Sequence, residues 1–131
     1  MIDAAIFSLL KLNSLVALEI GVHIYPGVVP EKITGPAIRY IVSDNPSEFD
    51  GGGVEHKKTA SVQIDVFHGN YTVVRAMGQA LQKQFHGHKG QHDSETIFLI
   101  DVLDSNITHD SSTREHRITL TMTVTYRDNQ P

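Results

Sequence analysis

The chain has 131 residues, 40% hydrophobic and 20% charged, with a formal net charge of −4 and no cysteine. Those values fit one globular domain with a real core, and they exclude disulfide frameworks and thiolate chemistry. They also disfavour a nucleic-acid binder driven by phosphate contacts, because the basic residues are few and scattered.

No apolar run reaches the roughly 18–20 residues of a membrane span. The opening Met1-Ile2-Asp3-Ala4 lacks the basic start of a secretory signal. Asp3 is placed to cap a helix whose apolar face carries Ile6, Phe7 and Leu10. A break at Asn13-Ser14 leads to a second short turn through Leu15, Leu18 and Ile20, ended by Gly21. Val22–Tyr25 reads as a short extended segment stopped by Pro26-Gly27. Pro26–Pro36, with three prolines, reads as an irregular connection.

Ala37–Ser43 predicts a strand with Ile38, Tyr40 and Val42 on one face. Residues 44–58 carry Asn45-Pro46 and Asp50-Gly51-Gly52-Gly53, and predict a long mobile hairpin loop. Ser61–His68 alternates Val62, Ile64 and Val66 with Ser61, Gln63 and Asp65, the pattern of a half-buried strand. Asn70 then caps a helix with Val74, Met77, Leu81 and Phe85 on one stripe. Gly78 beside that stripe permits close approach to a sheet, at about 1 kcal/mol against alanine.

Thr96–Leu103 is an apolar strand, and Asn106–Thr113 reads as a polar turn. Arg117–Tyr126 alternates Ile118, Leu120, Met122, Val124 and Tyr126 with a row of threonines, which suits a solvated or partner-covered face. Residues 128–131 read as a loose tail. The expected fold is a single α+β domain over 1–131: a mainly antiparallel sheet, two helices packed on one face and a long flexible hairpin loop.

No catalytic constellation emerges, and the chain is not expected to be an enzyme. Asp65, Asp101 and Asp104 lack any spacing that marks an acid–base couple, and each is expected to be exposed or to meet a neighbouring subunit. Gly51–Gly53 lies between strands and lacks the Lys and Ser/Thr offsets of a phosphate loop. His86, His88 and His92 fall in a loop with no helical i, i+4 pair, so no metal centre and no cofactor are expected. A small metal- or ligand-binding module using them is the alternative from another class.

The order of elements resembles the small tail-completion, or tail-terminator, proteins of long-tailed bacteriophages and prophages. The resemblance covers about 125 residues and rests on order and spacing. It is carried by the helical opening Ile2–Leu10, then Ile24-Tyr25-Pro26-Gly27, and Pro36 before a strand. Val62-Gln63-Ile64-Asp65-Val66-Phe67 with Tyr71 entering a helix follows, and then Glu115-His116-Arg117-Ile118 and Thr125-Tyr126-Arg127. Pro36-Ala37-Ile38 departs from it, since many relatives place an aromatic soon after the proline.

The resemblance implies a non-enzymatic virion protein, assembled in the host cytoplasm. It would form a homo-oligomeric ring, usually hexameric, on the head-proximal end of the tail tube. Its partners would be further copies of itself, the major tail tube protein and the head–neck connector or stopper, with no membrane and no sequence-specific nucleic acid. A head-side neck adaptor is the nearest alternative. Residues expected at subunit or partner interfaces are Asp44, Glu48, Asp50, Glu55, Lys57, Lys58 and Asp65.

Overall fold

A computed structural model describes residues 2–30, 35–44, 57–92, 95–110 and 115–128. Helix α1 spans Asp3–Leu12 and is followed, after Asn13, by α2 (Ser14–Glu19). Asp3 does not cap α1. The N-cap position falls to Ile2, which makes no side-chain cap bond, and Asp3 stands in the first turn. The capping role at this end of the chain belongs to Asn13, whose side-chain oxygen accepts from the backbone N–H groups of Leu15 and Val16. The one long helix, α3 (Tyr71–Phe85), starts the same way, with Asn70 accepting from Thr72 and Val73.

The strands are β1 (Ile24–Pro26), β2 (Ala37–Asp44), β3 (Lys58–His68), β4 (Gly90–Gln91), β5 (Glu95–Asp110) and β6 (Glu115–Asp128). They form one six-stranded sheet in the order β1-β2-β3-β6-β5-β4. Among the described residues only the β1–β2 pair is parallel, and every other pair is antiparallel. The α+β class therefore stands, with the helices α1, α2 and α3 among the described residues.

Val62, Ile64 and Val66 of β3 and Ile118, Leu120, Met122 and Val124 of β6 are buried. So are Val74, Met77, Leu81 and Phe85 of α3, and Ala5, Ile6, Leu9 and Leu10 of α1. These side chains make one continuous core between the helices and a single face of the sheet. Gln84 of α3 ties the helices together: its amide donates to the Leu9 carbonyl at 2.6 Å and accepts from the Asn13 side chain at 2.9 Å.

Helix and sheet approach each other closely at Gly78. A Cβ there would lie 2.1 Å from Ile118 Cδ1, so the missing side chain is what lets α3 settle on β6. Gly78→Ala is expected to lose about 1 kcal/mol net, since overpacking of about 1–3 kcal/mol exceeds the helix-propensity gain of about 1. Adding Ile118→Val removes the obstructing methyl and should return part of that loss. Thermal melts of the single and double variants check this, and a double variant no more stable than Gly78→Ala would count against it.

One sequence expectation is corrected in the last hairpin. Asn106–Asp110 is not a polar turn but the far half of β5, paired through Asn106↔Thr119 to Asp110↔Glu115. A sixteen-residue strand of this kind follows its partner instead of alternating strictly, with register shifts between Ile97 and Leu99 and between Val102 and Asp104. Each shift inserts one residue, Phe98 and Leu103, as a bulge.

Candidate assembly surface

With the helices on one side, the other face of the sheet carries side chains of opposite parity and, among the described residues, no helix covers it. Its central row is Thr119, Thr121, Thr123 and Thr125 of β6, flanked by Ser61, Gln63 and Asp65 of β3 and by Arg39 and Ile41 of β2. The alternation in β3 and β6 puts them there: one residue in two feeds the core, so the next must face outward. Thr121, Ser61 and Ile41 are exposed, while Thr119, Thr123 and Thr125 are half-buried by their neighbours.

Asp65 is the exception on this face and a correction to its expected exposure. It is fully buried, at 0%. Arg39, its register partner on β2, donates to Asp65 Oδ2 through Nε at 2.9 Å and Nη2 at 2.5 Å. Thr119, its partner on β6, donates through Oγ1 to Asp65 Oδ1 at 2.6 Å, and the Gln63 amide donates at 3.1 Å to Oδ2. Burial on its own would push the carboxyl pKa up. The hydrogen bonds from Thr119, Arg39 and Gln63, with the Arg39 charge, outweigh it and hold the group below the ordinary carboxylate value. Asp65 is therefore a fixed, ionised anchor that joins three strands.

Asp65 and Asp101 do not converge. Asp65 pairs with Thr119 and Asp101 with Thr123, so β6 and four residues of strand separate them, on the order of 15 Å. Asp101 is exposed and stands 3.6 Å from His86 Nδ1, while Asp104 is exposed on the outer face. Among the other expected interface residues, Lys57 is exposed with its Nζ 5.3 Å from the Phe98 ring centre, and Lys58 opens β3 opposite Tyr126. Asp44 ends β2 opposite Ala60. Glu48, Asp50, Glu55 and the expected hairpin loop around them lie outside the described residues.

Arg39 was not singled out by sequence, and Arg117 was quoted only within Glu115-His116-Arg117-Ile118, with no role of its own. Both border Phe67: the Arg39 guanidinium lies 5.5 Å from its ring centre, and Arg117 is its partner across the β3–β6 ladder. Arg117 Nε is buried with no hydrogen-bond partner among the described residues. The signal was the register itself, which puts each arginine beside a residue of β3 more than 25 positions away. Sequence reading also missed a ladder of three imidazoles on the opposite face. His68, His116 and His109 are successive register partners across β3, β6 and β5, with the His109 and His116 ring centres 4.5 Å apart.

Two edges bound the sheet. The three-residue β1 closes one side. On the other, β4 covers β5 only at Ile97 and Thr96, and the turn after α3 adds Gly87 and His88 at Ile100 and the His86 ring at Val102. From Leu103 to Asp110, β5 has no further strand beside it among the described residues, and Leu103 is 59% exposed.

No protein-family model and no curated protein matches the sequence. Solved structures match its fold. A chain in the virion of a native gene transfer agent particle superposes with a TM-score of 0.68 at 16% identity, over 95% of this chain and 92% of that one. The fold is shared with a virion chain. A second solved chain matches with a TM-score of 0.55 at 12% identity, over 98% and 96%. At such identities the likeness establishes a common fold extending through almost the whole of each chain.

Proposed function

We propose that this chain is a non-enzymatic structural protein of a phage-like virion, acting as a tail terminator. In this reading copies of it close into a ring on the head-proximal end of the tail tube. The ring stops addition of tube subunits and presents the surface that joins the tail to the head. The observation that carries the reading is the near end-to-end fold match to a chain in the virion of a native gene transfer agent particle. The order of elements that resembles tail-terminator proteins agrees with it.

The surface supports assembly in three ways. One sheet face is open and polar, built of threonines around a rigid Arg39–Asp65 anchor. Among the described residues the outer half of β5 has one edge with no partner strand, a hazard for an isolated monomer and a pairing device in an oligomer. The buried, unsatisfied Nε of Arg117 is a donor that an acceptor from a neighbour would satisfy. A closed ring joins two different surfaces of each copy, and the open face and the β5 edge are different surfaces.

Tail length in particles lacking this protein tests the proposal, measured by negative-stain electron microscopy. Overlong, headless tubes are the expected result. Tails of normal length that fail to join filled heads would move the role to a head-side neck adaptor. Normal, infectious particles would sink both readings.

A further inference from the structure

The segment after α3 does not behave as a free loop. Gly87, at φ +80°, turns the chain back along β5, where its N–H donates to the Ile100 carbonyl at 2.8 Å and Ile100 N–H donates to the His88 carbonyl at 3.2 Å. Gly90 and Gln91 then pair with Ile97 and Thr96, and His92 N–H donates to the Glu95 carbonyl at 2.7 Å. This backbone frame holds the His88 and His92 rings together. Their Nε2 atoms lie 3.3 Å apart, with ring centres at 5.5 Å.

That separation has a second meaning besides an N–H···N hydrogen bond. Two imidazole nitrogens bound to one tetrahedral zinc at about 2.0–2.1 Å each stand about 3.3–3.4 Å apart. Gly90 lies beside both nitrogens: a Cβ on it would reach 3.5 Å from His88 Nε2 and 3.9 Å from His92 Nε2. The bare α-carbon thus leaves that side uncrowded.

We infer that His88 Nε2 and His92 Nε2 form a two-histidine chelate for a borderline-soft divalent transition ion of the Zn²⁺ or Ni²⁺ class, its remaining positions filled by water. Imidazole suits those ions, and both rings must be neutral to bind. Among the described residues no group of three metal-ligating side chains converges, so the proposal rests on the two imidazoles alone. It stands independently of the virion reading.

Isothermal titration of the full chain with ZnCl₂ at pH 7.5 tests it, alongside His88→Gln, His92→Gln and, as a control, His109→Gln. One ion per chain is expected, with at least a tenfold loss of affinity in either of the first two variants and none in the control. Backbone hydrogen bonds of Gly87, His88 and His92 frame the turn, so circular dichroism should show both variants folded. The ¹⁵N resonances of both Nε2 atoms should shift on adding zinc. No saturable binding up to millimolar zinc would overturn the proposal, as would equal affinity in a variant lacking both histidines.

Discussion

Asp65→Ala should destabilise the protein by about 2–4 kcal/mol. Breaking a buried ion pair from one side costs about 3–5 kcal/mol because the partner is left uncompensated. The Arg39 side chain keeps 25% exposure and can turn partly to water, which trims that figure. Thr119 and Gln63 also lose their acceptor. Replacing both charges, as in Arg39→Met with Asp65→Leu, should come within about 1 kcal/mol of the wild type, since an apolar pair of similar volume strands no charge. Urea unfolding of the three proteins measures this directly; a single variant as stable as the double would refute the anchor role.

The same carboxylate sets an acid limit. Its folded pKa lies below the ordinary value of 3.8. Protons therefore prefer the unfolded chain, and the stabilisation is complete above about pH 4 and is lost as pH falls through the folded value. Asp65→Asn should flatten that part of the stability–pH curve.

Phe85→Ala should cost about 3–5 kcal/mol, the largest effect expected of a single apolar truncation here. Phe85 is fully buried at the last turn of α3 and belongs to the continuous core with Leu81, Met77 and the sheet. Its neighbours are fixed by the helix above and by the turn at Gly87 below, so the cavity has little room to close. A domain of this size has roughly 5–15 kcal/mol in all. The loss should appear as a lower denaturation midpoint with an unchanged slope. Phe85→Leu should lose much less, and equal losses for the two would point to a backbone defect instead of a cavity.

Much of this fold was legible where one face is buried and the other is not. The stripe Val74-Met77-Leu81-Phe85 and the alternation of β6 announce themselves because burial selects one residue in four or one in two. Asn70 was legible as a cap because its chemistry is local. Strand β5 was not, beyond Leu103. Its residues facing the helix side are Ile97, Ile100, Val102, Ser105 and Ile107, spaced three, two, three and two. Polar Asn106, Thr108 and Asp110 look like a turn until pairing with β6 overrides their propensity. β4 is two residues long and exists only because β5 is beside it.

On the candidate surface, the threonine row could be read from period alone. The burial of Asp65 could not, for its cover comes from Arg39, 26 residues earlier, and Thr119, 54 later. A charge on the non-core face reads as exposed until the register is known. The two clusters of histidine divide the same way. His88 and His92 were visible as neighbours in sequence, whereas His68, His116 and His109 become adjacent only through the sheet.

The bulges of β5 bear on how the length of this chain can drift over generations. Phe98 and Leu103 take up no rung of the ladder. Losing either would let the strand run straight past the gap while every later residue kept its face and its partner. Loss of Ile100 or Asp101 would turn the whole outer half over, carrying Ile107 out and Asn106 in. Single-residue deletions among descendants of this sequence should therefore gather at those two positions, and their neighbours should hold their number.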